Sequence, residues 1–261
     1  MTPDRASGPA PNPGPASASG PELGPGPGPG PAPAAYGRLL VVTAVDAERA
    51  AVEAGLSAAE PPTAVPADVI AVGVGPAAAA AGTATALALA EAAGAPYGLV
   101  VCAGIAGGFA PVAPVGHVTV AETVVAADLG AQTDEGFVPV VELGFGISEH
   151  RPPARLSRGV ARALGAAYGP LLTVSTVTGS GERAAELSGR HPGAVAEAME
   201  GFGVAEAAAA REVPMLEIRA VSNAVGPRDR EAWRIGDALA ALTVAFGKLP
   251  AALEVEATHD D

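Results

Sequence analysis

Short apolar runs alternate with helix-like segments along most of the chain. The first three runs, Leu39–Val42, Val69–Val72 and Leu99–Cys102, are apolar at every position, as is typical of strands buried on both faces of a parallel sheet. Later runs with strand character are His117–Ala121, Leu171–Ser175, Ala194–Met199 and Leu216–Val221.

Helices are predicted between these strands. The first helix begins near Asp46, and the second runs from Pro76 to about Ala93. Two further helices occupy Glu182–Leu187 and Val204–Arg211, and the last begins near Glu231. The segment 134–170 contains many turn residues and receives no assignment. The alternation of buried strands and helices predicts an α/β layered domain with a largely parallel sheet.

The first 35 residues have a different composition from the rest of the chain. Eighteen of them are Gly or Pro, so they cannot bury enough apolar surface to offset the entropy lost on ordering. We therefore predict a disordered Gly/Pro/Ala-rich tail over 1–35 and one domain over 36–255.

Charge and cysteine content exclude several classes of protein. A net charge of −13 and one lysine, Lys248, argue against binding to a phosphate backbone. The longest uncharged apolar run, Pro76–Ala90, is shorter than the ~20 residues that cross a bilayer. The lone Cys102 lies in an apolar run and predicts a buried, inert thiol. We expect a cytoplasmic protein that binds neither nucleic acid nor membrane.

Two cofactor patterns are incomplete in this sequence. Gly73-Val74-Gly75 follows a strand and begins a helix, as in a dinucleotide-binding turn. The next strand, however, ends without the carboxylate that such a site needs for the ribose, so a tight turn is the better interpretation. The four histidines form no metal-binding pattern. We expect neither a cofactor nor a metal.

Polar residues lie at the ends of three of the predicted strands, where an open α/β sheet presents its ligand site. These segments are Thr43–Glu48, Ala198–Gly201 and Arg219–Asn223. Two glycine-rich segments, Gly104–Gly108 and Thr178–Gly181, add backbone donors that can approach a flat or polar ligand closely.

Taken together, these segments resemble the nucleoside phosphorylase and nucleosidase superfamily, in particular its hydrolase branch, which includes methylthioadenosine/S-adenosylhomocysteine nucleosidase. The resemblance covers about Arg38 to Leu249. It implies a three-layer α/β/α fold with a central mixed, largely parallel twisted sheet, a nucleoside substrate, and a homo-oligomer, a dimer or higher. Thr178–Gly181 and Ser222–Gly226 are most similar to the branch that removes hypoxanthine from futalosine in a route to menaquinone.

The resemblance also implies roles for individual residues. Glu48 would be the base that activates the attacking water, with Arg219 as its partner. Glu200 would accept hydrogen bonds from the ribose hydroxyls, and Met199 would pack against the sugar. The alternatives are an exposed helix carboxylate at Glu48, a surface role for Glu200 and a core residue at Met199.

Asn223 stands where the resemblance places an aspartate in adenine-cleaving members. An amide can donate to a 6-oxo group through its NH₂ and accept from purine N7–H through its carbonyl. That pattern favours hypoxanthine or guanine and disfavours adenine, whose amino group would face another donor. The alternative is that Asn223 merely caps the turn before Gly226-Pro227.

The other candidate substrate-binding residues are Ala106, Gly107, Gly179, Ser222 and Trp233. Trp233 could stack on a 5′ substituent, and Arg228, Arg230 or Arg234 could meet a carboxylate there. A charged first helical turn with a packed tryptophan explains the same residues equally well.

The expected function is hydrolysis of the N-glycosidic bond of a 6-oxopurine nucleoside. Three alternatives remain open at this point. They are an adenine-specific nucleosidase acting on methylthioadenosine, S-adenosylhomocysteine or aminofutalosine, a purine nucleoside phosphorylase, and a purine-binding protein without catalytic activity.

Overall fold

The structure is a computed structural model that describes residues 36–59 and 65–257, with side chains described through Glu254. The predicted tail at 1–35 and the acidic end at 259–261 lie outside the described residues. The helices are α1 (Asp46–Ser57), α2 (Pro76–Ala92), α3 (Ala154–Leu164), α4 (Gly181–Arg190), α5 (Gly201–Ala209) and α6 (Ile235–Ala257).

The strands are β1 (Leu39–Thr43), β2 (Ala67–Ala71), β3 (Leu99–Gly108), β4 (Val118–Ala126), β5 (Gly130–Thr133), β6 (Gly136–Pro139), β7 (Glu149–His150), β8 (Ala167–Thr173), β9 (Ala196–Ala198) and β10 (Met215–Ala224). β5 and β6 form a separate antiparallel pair, and the other strands join one mixed sheet.

Strand β3 is the centre of the main sheet. It pairs in parallel with β1 and β10 and in antiparallel with β9, and β2 extends the sheet beyond β1. Because β10 also pairs with β4, β4 with β8, and β8 with β9, strands β3, β10, β4, β8 and β9 close into a ring. The carboxyl ends of β1, β3 and β10, which run in parallel, therefore point the same way.

Helices cover both faces of this sheet, which confirms the predicted three layers. On one face, buried residues of α2 and α5, such as Leu87 and Val204, pack on Leu40 and Val100. On the other face, α1, α3 and α6 cover the opposite side chains of β1, β3 and β10, for example through Phe246. Leu187 of α4 contributes to a third, smaller cluster.

Most predicted elements exist, with shifted ends. The second strand is Ala67–Ala71 rather than Val69–Val72, and the predicted strand at Leu171–Ser175 is instead β8, which begins and ends earlier. The unassigned segment 134–170 contains β6, β7, α3 and the start of β8. Cys102 is buried, as predicted.

Three expectations were wrong in detail. Gly104–Gly108 does not follow β3 but forms its second half, and β10 continues through Asn223 to Ala224 where the predicted strand ended at Val221. Both segments continue because each has a neighbouring strand to pair with, Arg219 opposite Gly104 and Asn223 opposite Gly107. The last helix begins at Ile235, not near Glu231.

Within the part of the chain that the structure describes, one helix is long and apolar enough to cross a membrane by length and composition. It is Ile235–Glu254 of α6, with a mean hydropathy of 1.3. It does not stand out as an uncharged run in the sequence because Asp237 and Lys248 interrupt it. Leu242, Phe246 and Leu249 of this helix are fully buried against the sheet and its neighbours.

Candidate active site

Glu48 is buried at the first turn of α1, directly beyond the end of β1. Its Oε2 accepts hydrogen bonds from the backbone N–H groups of Ala44 and Val45, at 3.0 and 3.2 Å, and its Oε1 accepts one from Ile105 at 2.9 Å. A carboxylate offers about four acceptor positions. One position, on Oε1, is therefore left for a further donor such as water.

Arg219 lies on β10 and is 1% exposed. Its Nη1 is 3.1 Å from Glu200 Oε2, its Nε donates to Glu217 Oε1 at 2.9 Å, and its Nη2 donates to Cys102 Sγ at 3.2 Å. Burial lowers the pKa of Arg219, but the thiol and the surrounding carboxylates together raise it well above its usual value. The guanidinium therefore stays charged at the centre of the site.

Glu200 is buried between β9 and α5, where it is the N-cap residue of α5. Its Oε1 accepts from the backbone N–H of Gly75 at 3.1 Å, and its Oε2 meets Arg219. Gly75 and Gly73 both have positive φ angles, 95° and 100°, which glycine adopts without strain. The Gly73-Val74-Gly75 turn thus presents an N–H group to Glu200, and one acceptor position remains on each oxygen of this carboxylate.

Two glycines make room for this cluster of charges. A Cβ atom at Gly104 would lie 2.6 Å from Glu48 Oε1 and 2.7 Å from Arg219 Nη1. A Cβ atom at Gly201 would lie 2.4 Å from Glu217 Oε1. Neither position tolerates a side chain with its neighbours in place, so the glycines allow the buried carboxylates and the guanidinium to approach the backbone.

Asn223 lies near the end of β10, beside Gly107 of β3. Its Oδ1 accepts from the Ser222 hydroxyl at 2.8 Å, and its Nδ2 donates to the carbonyl of Ala224 at 3.0 Å. The Ser222 hydroxyl also lies 3.3 Å from the carbonyl oxygen of Ala106. Since an amide has two donor hydrogens and two acceptor positions, Asn223 keeps one of each for a ligand.

The segment Thr178–Gly181 is attached to β9 through Glu197. The buried Glu197 carboxylate accepts from both the backbone N–H and the hydroxyl of Thr178. Ser180 caps α4 by accepting from the N–H of Arg183 at 3.2 Å. Gly179, between these two anchors, is exposed and has open space beside its Cα.

The segment 228–234 is irregular and is joined to the site by one backbone contact. The N–H of Arg234 donates to the carbonyl of Ser222 at 2.8 Å. Trp233 is half-buried, and the guanidinium carbons of Arg228 and Arg230 lie 5.9 and 6.0 Å from its ring centre. The tryptophan and both arginines are therefore grouped on one side of Ser222.

These side chains can support general base catalysis, binding of a diol and hydrogen bonding to a heterocycle. Glu48 can receive a proton from water, Glu200 can accept from two hydroxyls, and Asn223 can both donate and accept. Among the described residues, no group of three or more His, Cys, Asp or Glu side chains is placed to hold a metal ion.

Comparison with known proteins places this arrangement in a family. The sequence profile described as the Phosphorylase superfamily matches residues 63–253. The chain is 59% identical to the futalosine hydrolase of Streptomyces coelicolor over 232 residues, 85% of this chain and 99% of the relative. It is 46% identical to the futalosine hydrolase of Acidothermus cellulolyticus over 226 residues, 82% of this chain and 90% of the relative. The chain belongs to the phosphorylase superfamily and, within it, to the futalosine hydrolase family.

The fold agrees with this membership. A methylthioadenosine/S-adenosylhomocysteine nucleosidase from Colwellia psychrerythraea, solved in complex with adenine, superimposes with a TM-score of 0.66. The two sequences are 20% identical, and the match covers 85% of this chain and 96% of that one. The resemblance inferred from the sequence segments is confirmed, as is the nucleoside phosphorylase-like fold.

In this superfamily member, the structure brings Glu48, Glu200 and Arg219 together around Gly104 and Gly75. Neither carboxylate occupies the surface that the alternative interpretations required. Arg219 forms its ion pairs with Glu200 and Glu217, and Glu48 lies near enough to contribute to the raised pKa of the guanidinium. Glu48 obtains its hydrogen bonds from backbone amides, those of Ala44 and Val45 just before α1 and that of Ile105 on β3.

The remaining candidates form a second group along β3 and β10. Ala106, Gly107, Ser222 and Asn223 are adjacent on these paired strands. Met199 is half-buried between β9 and α5, which agrees both with packing against a sugar and with a position in the core. The predicted first helical turn around Trp233 is absent because α6 begins at Ile235.

Two buried carboxylates in the site were not found from the sequence. Glu217 and Glu197 each lie inside a run that reads as an apolar strand. The signal for Glu217 was its spacing of two residues from Arg219, which places both side chains on one face of a strand. For Glu197 no comparable signal exists, because its partner Thr178 is distant in the sequence.

Proposed function

We propose that this protein hydrolyses the N-glycosidic bond of futalosine and releases hypoxanthine and dehypoxanthine futalosine. The observation that carries the proposal is the 59% identity to a futalosine hydrolase over nearly the whole length of that relative. The geometry of Glu48, Glu200 and Asn223 supports it independently, because each has hydrogen-bonding capacity left for one part of a nucleoside.

In the proposed reaction, water attacks C1′ of the ribose as the bond to the purine breaks. The remaining acceptor position on Glu48 Oε1 receives the proton of the water, while the electron pair of the broken bond goes to the purine. Glu200 accepts from the 2′- and 3′-hydroxyls and stabilises the positive charge that develops on the sugar. The departing purine takes up a proton from solvent and leaves as hypoxanthine, and Glu48 returns the proton of the attacking water to solvent, so that one water is consumed in each turnover.

Asn223 is proposed to select the base. As the bond breaks, negative charge develops on the purine, including its 6-oxo oxygen, and the free N–H of Asn223 Nδ2 is available to it. The Ser222 hydroxyl fixes the other end of the amide through Oδ1. This arrangement suits a 6-oxopurine and opposes adenine, whose amino group would meet a donor.

Further features of the proposal concern the surroundings of the reaction. The product would serve menaquinone biosynthesis, the enzyme would act in the cytoplasm, and it would be a homo-oligomer, as the resemblance implies. Trp233 and its neighbouring arginines would contact the carboxyphenyl group at the 5′ position of futalosine.

The deciding experiment is chromatography of the free bases released from futalosine, aminofutalosine, inosine and methylthioadenosine in phosphate-free buffer. We expect hypoxanthine from futalosine, with much slower release from the other three. Release that requires inorganic phosphate and yields ribose 1-phosphate would identify a phosphorylase. Faster release of adenine from aminofutalosine or methylthioadenosine would identify an adenine-specific nucleosidase.

Glu48→Gln distinguishes an enzyme from a protein that only binds purines. The amide cannot receive the proton of the attacking water, so turnover should fall by at least about 10²-fold, while futalosine still binds in equilibrium dialysis. Equal turnover by the variant and the unchanged protein would contradict the role given to Glu48.

A further inference from the structure

Glu217 is a fully buried carboxylate that the reaction described above does not use. It is 0% exposed and lies on β10, two residues before Arg219 and on the same face of the strand. Its Oε1 accepts from Arg219 Nε at 2.9 Å. Its Oε2 has no hydrogen-bond partner and lies against Gly201.

We propose that Glu217 is a positioning residue for the glycosidic cleavage, which fixes the direction of the Arg219 guanidinium and thereby holds Glu200 at the sugar. The inference rests on the proposed function. A guanidinium is planar, so an acceptor at Nε determines where Nη1 and Nη2 point. Here Nη1 points at Glu200 Oε2, at 3.1 Å.

The path from Glu217 to the sugar contains two intermediate side chains, Arg219 and Glu200. Glu217 contacts Arg219, Arg219 contacts Glu200, and Glu200 is held on its other side by the Gly75 N–H. Without Glu217, Nε would have no acceptor and the guanidinium would be held only through Nη1 at Glu200 and Nη2 at Cys102. Arg219 could then shift and move Glu200 with it. Displacement of a catalytic contact by about 1 Å can reduce a rate 10²-fold.

The surroundings of Glu217 argue against a role in stability alone. A buried ion pair is often replaceable by apolar residues without loss of stability, because its attraction must offset desolvation of both groups. The residues on either side of Glu217 in β10, Leu216 and Ile218, are fully buried and apolar. Burial raises the pKa of Glu217 by more than the charge and hydrogen bond of Arg219 lower it, so desolvation of this carboxylate is not fully offset by its partner.

Two substitutions separate the position of the acceptor from its charge. Glu217→Gln keeps an oxygen at the distance of Oε1 and removes the charge. Glu217→Asp keeps the charge and withdraws the oxygen by one methylene. The matched control is Ile218→Val, a conservative change at the neighbouring residue, whose side chain lies on the opposite face of β10.

The variants are compared with the unchanged protein by kcat and KM for futalosine, and thermal unfolding reports whether each is folded. We expect Glu217→Gln to keep kcat within about fivefold, and Glu217→Asp to lose about 10- to 100-fold in kcat with a smaller change in KM. Ile218→Val should lower the unfolding temperature slightly without changing kcat.

A kcat that falls more than tenfold in Glu217→Gln would overturn the inference, and this criterion holds even if Glu217→Asp does not fold. Unchanged kcat in a folded Glu217→Asp would also overturn it. If the unchanged protein does not hydrolyse futalosine, the proposed function fails. If the unchanged protein hydrolyses futalosine and both Glu217 variants have the same kcat as that protein, only the role of Glu217 fails.

Discussion

At the scale of single residues, Asn223 is the side chain to which we assign base selection in the proposed reaction. Its amide is oriented from both ends, by the Ser222 hydroxyl and by the carbonyl of Ala224. Rotation of the amide by 180° would place its oxygen against the carbonyl of Ala224 and break that contact. The free N–H of the amide therefore has a fixed position, as selection between an oxo and an amino group would require.

Asn223→Asp should shift the preference of the enzyme toward 6-amino nucleosides. A carboxylate accepts at both oxygens, so it repels the 6-oxo group and can accept from an amino group. We expect kcat/KM for futalosine to fall by about 10²-fold or more, and the ratio of aminofutalosine to futalosine hydrolysis to rise. Chromatography of adenine and hypoxanthine measures both rates. An unchanged ratio would mean that selection resides elsewhere.

The sequence predicted those site residues whose chemistry is visible locally. Glu48 follows an apolar run, and Glu200 stands between an apolar run and a glycine. Glu217 was missed because a single carboxylate inside an apolar strand looks like an exposed edge position. Its burial depends on Gly201 leaving space beside it, which is a contact between residues 16 positions apart.

At the scale of the elements, β3 carries the site because its second half contains glycine at 104, 107 and 108. These glycines were expected to end the strand, since glycine weakens strands in general. They continue it because β9 and β10 pair with this half, and because the missing side chains admit Glu48, Arg219 and Asn223. Strand length was therefore set by tertiary pairing.

Gly104→Ala should impair catalysis in a protein that still folds. The added methyl group would overlap Glu48 Oε1 and Arg219 Nη1. Both atoms are ends of side chains, so we expect them to move and the strand to remain. We predict a loss of at least about tenfold in kcat/KM, with unfolding free energy reduced by about 1–3 kcal/mol.

Gly189→Ala is the control for this substitution. Gly189 is exposed on α4, and no atom lies within 4 Å of the place that an added methyl group would occupy. The substitution should stabilise the protein by up to about 1 kcal/mol through helix propensity and leave kcat/KM unchanged. Wild-type kinetics in Gly104→Ala would show that the approach of Glu48 and Arg219 to this backbone is not needed.

Glu197 of β9, which holds the 178–181 segment through Thr178, should make the stability of the folded protein depend on pH. Burial raises the pKa of Glu197 above the 4.5 of a free carboxyl. The folded protein then keeps a proton that the unfolded chain releases, so stability falls as pH rises from the unfolded pKa through the folded one. Glu197→Gln lacks this titration and can still accept from the Thr178 N–H.

Urea unfolding from about pH 4 to about pH 7 measures the effect. We expect the unchanged protein to lose stability relative to Glu197→Gln as the pH rises through this range. A difference between the two proteins that stays constant with pH would contradict a titrating Glu197.

At the scale of the whole molecule, ring closure of the sheet could not be predicted from the sequence. The pattern indicates buried strands and their order, but not that β10 would pair with both β3 and β4. Closure of the ring also requires that β3 is long enough for its second half to pair with both β9 and β10. The ring places the residues on β10, β3 and β9 at one end of the fold.

The net charge of −13 should repel an anionic substrate. Arg228, Arg230 and Arg234 outnumber Asp229 and Glu231 in segment 228–234, so this segment has a net positive charge near Ser222. Salt screens charges beyond about 10 Å at 0.1 M. Near Trp233, the attraction of these arginines for the substrate should therefore exceed the repulsion from more distant acidic residues. We therefore expect kcat/KM for futalosine to fall as salt increases from about 20 to about 200 mM.

The double substitution Arg228→Gln with Arg230→Gln should reverse this dependence. Without the local cations only the overall repulsion remains, so salt should then raise kcat/KM for futalosine, and KM at low salt should increase several-fold. Inosine carries no charged 5′ group, so its kcat/KM should depend little on salt in either protein. Initial rates at several salt concentrations measure all four cases. If both proteins showed the same salt dependence with futalosine, the arginines would have no part in admitting the substrate, and its carboxylate would have to be met elsewhere.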